Sequence, residues 1–220
     1  MHNKRKFIFG NYDTAVNGLW TLSAWNLGEA KPLETYADIP GRLDGPLDLT
    51  EAGTGDVMYS TRALSVTLES SEGTRADREE RISQMVNTLH GRRAKIWTPD
   101  DSEHFLSGRL TIKKNYSDLA HASVTITSTC EPWKYDNEDT VVTAELSDEV
   151  KEVVLSCSRR PVFPELRVQG ELTIVDRGTT YMLSEGTYKL AWLELKANEE
   201  RVLQVSGTGT VSFSYRKAVL

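Results

Sequence analysis

The chain has 220 residues, 39% of them hydrophobic and 26% charged, with a formal charge of −6. That length and balance fit one or two packed domains and exclude a collagen, a coiled-coil rod or a wholly disordered polymer. The longest apolar run, Leu190 to Leu193, has four residues, where a membrane-spanning helix needs roughly 20. Lys4, Arg5 and Lys6 are followed only by Phe7, Ile8 and Phe9 before Gly10, which is no signal-peptide core, so a cytoplasm-like compartment is expected. The excess of 32 acidic over 26 basic residues has the wrong sign for coating nucleic acid. Cys130 and Cys157 belong to no Cys-x-x-Cys pair and read as buried free thiols.

In chain order, Leu64, Val66 and Leu68 alternate with Ser65, Thr67 and Glu69, the pattern of a strand with one face in a core. Ile82, Met85, Val86 and Leu89 then recur at i, i+3, i+4 and i+7, which predicts a helix over 74–90. Thr74 can cap its start, Asp77 and Glu79 lie near the positive end of its dipole, and Gly91 can supply the left-handed residue after the last turn. Ala94 to Trp97, Phe105 to Ile112 and the stretch around Val124 and Ile126 read as strands. Glu131 to Asp139, with Pro132 and no apolar face, reads as a boundary at Asn137 between domains 1–137 and 138–220. In the second domain, Leu172 to Val175 and Thr179 to Leu183 flank a three-residue loop, Asp176, Arg177 and Gly178, a hairpin signal. Tyr188 to Leu195, Arg201 to Val205 and Thr210 to Tyr215 follow as further strands. The fold class is mainly β with one α-helix: a β-rich first domain and a second that is an antiparallel sandwich.

Sites for chemistry are sparse. His2, His90, His104 and His121 form no helical pair and have no nearby cysteine. Asp100 to His104 lacks the spacing and glycine of a calcium loop and reads as a solvated turn. No Gly-x-Ser-x-Gly elbow occurs, and no histidine follows His121 to serve as a base. Gly53, Thr54, Gly55 and Asp56 resemble part of a phosphate loop, but no Gly-Lys-Ser/Thr follows, so a turn is expected. Core packing is the expected role of the five tryptophans. No catalytic, cofactor or metal site is expected.

Five segments taken in order resemble the distal tail protein of bacteriophages and prophages with long non-contractile tails. They are PGRLDGPLDLTEA (Pro40 to Ala52), MYSTRALSVTLE (Met58 to Glu69), LHGRRAKIW (Leu89 to Trp97), CEPWKY (Cys130 to Tyr135) and GTGTVSFSYR (Gly207 to Arg216). Leu43, between Arg42 and Asp44, makes the first segment one residue longer than the family pattern. The resemblance implies a ring-forming first domain and a galectin-like second one. It also implies a non-enzymatic role in a homohexameric ring that joins the tail tube protein to tail-tip and receptor-binding proteins and leaves a channel for DNA. The place is the virion tail tip, assembled in the bacterial cytoplasm, with no membrane and no specific nucleic-acid binding. Six copies at −6 each carry a formal −36, which disfavours holding a passing duplex. Candidate interface residues are Arg42, Asp44, Leu47, Leu49 and Glu51, on a segment read either as a clasp at the subunit boundary or as an ordinary surface loop. The alternative function is a carbohydrate-binding module that attaches to the bacterial surface through the second domain.

Overall fold

A computed structural model describes residues 5–41 and 45–220. The chain divides into two units, one ending at Lys134 and one beginning at Tyr135. The first contains β1 (Ile8–Phe9), β2 (Tyr12–Asp13), α1 (Thr14–Asn17), β3 (Thr21–Leu27), β4 (Tyr36–Ala37), β5 (Leu47–Asp48), β6 (Arg62–Ser70), α2 (Arg75–Leu89), β7 (Arg93–Thr98), β8 (Asp101–Ser117) and β9 (Ala122–Cys130). Its strands hydrogen-bond in the order β2-β1-β7-β8-β9-β6-β3, while β4 and β5 form a separate two-stranded ribbon.

Helix α2 begins where expected because Thr74 and Asp77 cap each other. The Thr74 hydroxyl accepts from the Asp77 backbone N–H, and the Asp77 carboxylate accepts from that of Thr74. At the other end Gly91 takes φ 75°, and the Ile112 N–H donates to His90 Nδ1 at 3.0 Å. Ile82, Met85 and Leu89 pack on Leu64, Val66, Leu68, Leu110, Ile112, Val124 and Ile126, which point from the strands to the same side. Each such side chain contributes about 1.5–3 kcal/mol on burial. Arg78, also buried, donates to the carbonyls of Gly73, Asp118 and Leu119, tying the helix start to the β8–β9 turn.

Three sequence expectations change in this unit. A short helix, α1, was not anticipated; Asp13 caps it by accepting from the N–H groups of Ala15 and Val16. Strand β8 spans 17 residues, well beyond Phe105 to Ile112. It begins inside the acidic cluster read as a solvated turn, and only Pro99 and Asp100 turn. The Asp101 carboxylate accepts from the His104 N–H at 3.1 Å and lies 3.0 Å from His104 Nδ1, which turns the cluster into the start of a strand. Burial would raise the Asp101 pKa, but these His104 contacts outweigh it and hold it below the usual carboxylate range.

The second unit contains β11 (Thr140–Ser147), β12 (Lys151–Ser156), β13 (Glu165–Asp176), β14 (Thr179–Leu183), β15 (Gly186–Lys189), β16 (Glu200–Tyr215) and β17 (Ala218–Val219), preceded by β10 (Lys134–Asp136), which pairs with β17. Two long strands organise it. The first half of β16 pairs with β12 and its second half with β11; β13 pairs with β16 from Glu165 opposite Ser214 to Val175 opposite Gln204, carrying β15 on its first half and β14 on its second. One sheet thus makes two four-stranded layers that share both long strands. Val153, Leu155, Leu172, Ile174, Leu203 and Val205 of one layer meet Leu146, Leu166, Val168, Val211 and Phe213 of the other in a single core. The fold-over occurs at Gly170, Gly207 and Gly209, with φ of 102°, 132° and 114°. A Cβ on Gly209 would lie 1.9 Å from the Gln169 carbonyl oxygen, so only glycine fits.

Arg201 to Val205 and Thr210 to Tyr215 are therefore one strand, not two. The β13–β14 hairpin also closes more tightly than expected. Asp176 pairs with Thr179, leaving Arg177 and Gly178 as a two-residue turn with φ of 49° and 82°, the type I′ pattern. Tyr188 to Leu195 remains a strand only as far as Lys189. Beyond it, Leu190 to Leu193 forms a turn because Arg201, ion-paired with buried Asp176, also donates to the carbonyls of Trp192 and Glu194 and takes them from any ladder.

Candidate subunit interface

Between β3 and β6 the chain leaves the sheet for 33 residues, Gly28 to Ser60, as an arm. Backbone pairing defines its stem: Gly28 N–H donates to Ala63 O, Ser60 N–H to Lys31 O, Leu33 N–H to Met58 O and Leu49 N–H to Thr35 O, each at 2.8 Å. Further out, β4 and β5 place Tyr36 opposite Asp48 and Ala37 opposite Leu47. The segment singled out in the sequence is thus one side of a hairpin, and its other side lies upstream at Tyr36 and Ala37. Leu47 and Leu49 are half-buried while Asp48 is exposed, consistent with the alternation. Glu51 is exposed, and its carbonyl accepts from the Gly55 N–H. Arg42, Asp44 and the inserted Leu43 lie outside the described residues.

No described residue of the arm is buried, although it carries Leu33, Tyr36, Ile39 and Met58 at 47–55% exposure. Sequence reasoning missed these four; the available signal was an apolar series in a segment otherwise made of Gly, Pro, Thr and acids. The arm holds seven acidic and two basic side chains, a formal −5, against −6 for the whole chain. Asp48 stays below the usual carboxylate range because the Thr50 hydroxyl and N–H both donate to it. The Tyr36 hydroxyl is pushed up by Glu34 and Asp48. Gly53 to Asp56 forms a turn, with Thr54 Oγ1 donating to Asp56 O at 2.6 Å. Such a ribbon has no core of its own, and its exposed apolar and acidic groups suit it to burial against another surface.

Elsewhere in the first unit, a cleft of about 420 Å³ is lined by Arg5, Lys6, Ile8, Trp97, Pro99 and Ser102. The tryptophans divide: Trp20 is in the first core, Trp25 packs against that core, and Trp192 packs against the second. Trp97 instead leans on Phe105 and Trp133 on Tyr59, a departure from the expected core role. Trp192 stacks on Tyr181 with centroids 3.8 Å apart. Cys130 and Cys157 are free and buried, and desolvation pushes both thiols up. Among the described residues no group of three or more His, Cys, Asp or Glu side chains could hold a metal ion, and no helix is long and apolar enough to cross a membrane.

No family model matches the chain, and no curated protein does. A solved structure does match: the SPP1 Dit (gp 19.1) protein, described as a paradigm of the hub adsorption apparatus in phages infecting Gram-positive bacteria. The match covers 98% of this chain and 99% of that one, with a TM-score of 0.68 at 17% identity. Across nearly its whole length, the chain therefore has the fold of that phage hub protein, mainly β with few helices.

Proposed function

We propose that the chain is a distal tail hub protein of a long non-contractile phage tail, with no catalytic step of its own. Six copies close into a ring between the tail tube and the tail-tip and receptor-binding components, around a channel for DNA, at the tip of a virion assembled in the bacterial cytoplasm. The observation that carries this reading is the end-to-end correspondence of both units with the fold of a tail hub. The arm supplies a means: a cyclic ring needs two different surfaces on each subunit, and an arm with exposed Leu33, Tyr36, Ile39 and Met58 is one of them. Leu47 and Leu49, half-buried on the ribbon, shape that surface, and Glu51 belongs to it; Arg42 and Asp44 are candidates for it from the sequence alone.

Native mass spectrometry and negative-stain microscopy of the purified protein test the proposal. A closed particle of six chains is expected, and the double variant Leu47→Asp with Leu49→Asp should lose it without loss of melting temperature. Wild-type protein that stays monomeric at every concentration, alone and with its tail tube partner, would overturn the hexamer.

A further inference from the structure

The last turns of α2 form one side of a cleft that the β1–β2 hairpin and α1 close from the other. The hairpin is fixed there by its pairing with β7, Phe9 opposite Ile96, and by the Gly10 N–H donating to Lys95 O at 2.7 Å. The cleft holds about 630 Å³, against 420 Å³ for the one beside Trp97. Its base is apolar and closed, with Phe9, Tyr12 and Leu89 buried. Its rim is polar and open: Asn17, Gln84, Thr88 and Arg92 line it and are exposed. No aspartate or glutamate is among the lining residues.

Existing contacts fix what each rim group still offers. Asn17 Oδ1 accepts from the Asp13 N–H at 2.7 Å, so its amide nitrogen is left to donate. Gln84 Nε2 donates to Glu80 at 3.2 Å, so its carbonyl oxygen is left to accept. The Thr88 hydroxyl can do either. Arg93 pairs with Glu131, whereas Arg92 enters no ion pair among the described residues. The Arg92 main chain is held on both sides, its N–H by Leu89 O and its carbonyl by the Leu110 N–H. The first of these bonds answers a carbonyl at the negative end of α2, as the His90 N–H answers Val86 O. Both weaken the field that would repel an anion there.

We propose that this cleft binds a small hydroxylated anion, a one- or two-ring sugar carrying a carboxylate or a phosphate. The acid group meets the Arg92 guanidinium, whose fork matches either anion. Ring hydroxyls exchange hydrogen bonds with Asn17, Gln84 and Thr88. The walls argue against other ligand classes. A nucleobase needs an aromatic face, and Phe9 and Tyr12 are 0% and 8% exposed. A metal ion needs carboxylate, His or Cys ligands, which the lining lacks. An apolar ligand would leave the polar rim without partners. The volume falls in the range of about 300–1,000 Å³ typical of small-molecule sites, too small for a folded partner. The site lies within the first unit of a single chain, so it does not depend on whether six copies close into a ring.

Ligand-observed NMR on the full chain tests it, with glucuronate, glucose monophosphate, glucose and inorganic phosphate as probes. The acidic sugars should bind and displace one another, and the tighter of the two identifies the anion. Glucose and inorganic phosphate should each bind about tenfold more weakly, because each lacks one half of the contacts. Arg92→Gln should bring the acidic sugars down to the affinity of glucose and leave glucose itself unchanged. The double variant Gln84→Ala with Thr88→Ala should weaken all three sugars and leave inorganic phosphate unchanged. These three side chains are exposed, and melting curves that match the wild type check folding. Failure of both acidic sugars to bind, or binding that survives Arg92→Gln undiminished, overturns the site. Inorganic phosphate binding as tightly as glucose monophosphate also overturns it, since the hydroxyls would then contribute nothing. None of these outcomes bears on the ring.

Discussion

Asp77 shows how one side chain makes a helix start legible and pH-dependent. The Thr74 backbone N–H and hydroxyl both donate to its carboxylate, holding its pKa below the usual range. A carboxyl depressed on folding leaves the native state with fewer bound protons than the unfolded chain, so its contribution is complete above an unfolded pKa of about 3.9 and is lost as pH falls through the lower folded value. Asp77→Asn should therefore melt below wild type at neutral pH and show a shallower fall in melting temperature as the pH is lowered from about 5 to about 2. Parallel curves for the two proteins would remove Asp77 from that role. The cap was readable because every partner lies within three residues. Arg201 was not, because its partners Asp176, Trp192 and Glu194 are brought to it only by the folded sheet.

Elements were legible in proportion to how local their causes are. Helix α2 announced itself through period and caps, and strands β6 and β9 through alternation. Strand β16 was divided in two because Gly207 and Gly209 read as punctuation, whereas in the sheet they are the bend that lets one strand serve both layers. Gly209→Ala introduces a Cβ 1.9 Å from the Gln169 oxygen at a φ of 114°. It should cost about 1–3 kcal/mol in backbone strain, lowering the melting transition of the second unit; an unchanged thermal scan would show that the bend relaxes freely. The arm's hairpin was half legible, since Leu47 and Leu49 alternate, while its pairing strand at Tyr36 and Ala37 is too short to show a period. With no buried residue in its described part, the arm opens at little cost. A glutamate-specific protease should cut the free subunit first after Glu34 or Glu51, and ring formation should slow those cuts; first cleavage within β8 or β16 would contradict this.

At the level of the molecule, charge is distributed unevenly rather than spread. With −5 of the formal −6 on residues 28–60, nearly all of the chain's net charge rides on the arm, and the rest of the surface is close to neutral. The sequence carried the fold class because turns, period and alternation are local, and it carried less of the arm because two-residue strands such as β4 and β5 leave no period to read. The arm also separates two kinds of selection. Its described residues hold no part of either core in place, so mutation there can change what the arm's exposed apolar and acidic groups meet while the fold's own melting point stays put. A lineage can thus re-tailor this surface faster than its scaffold.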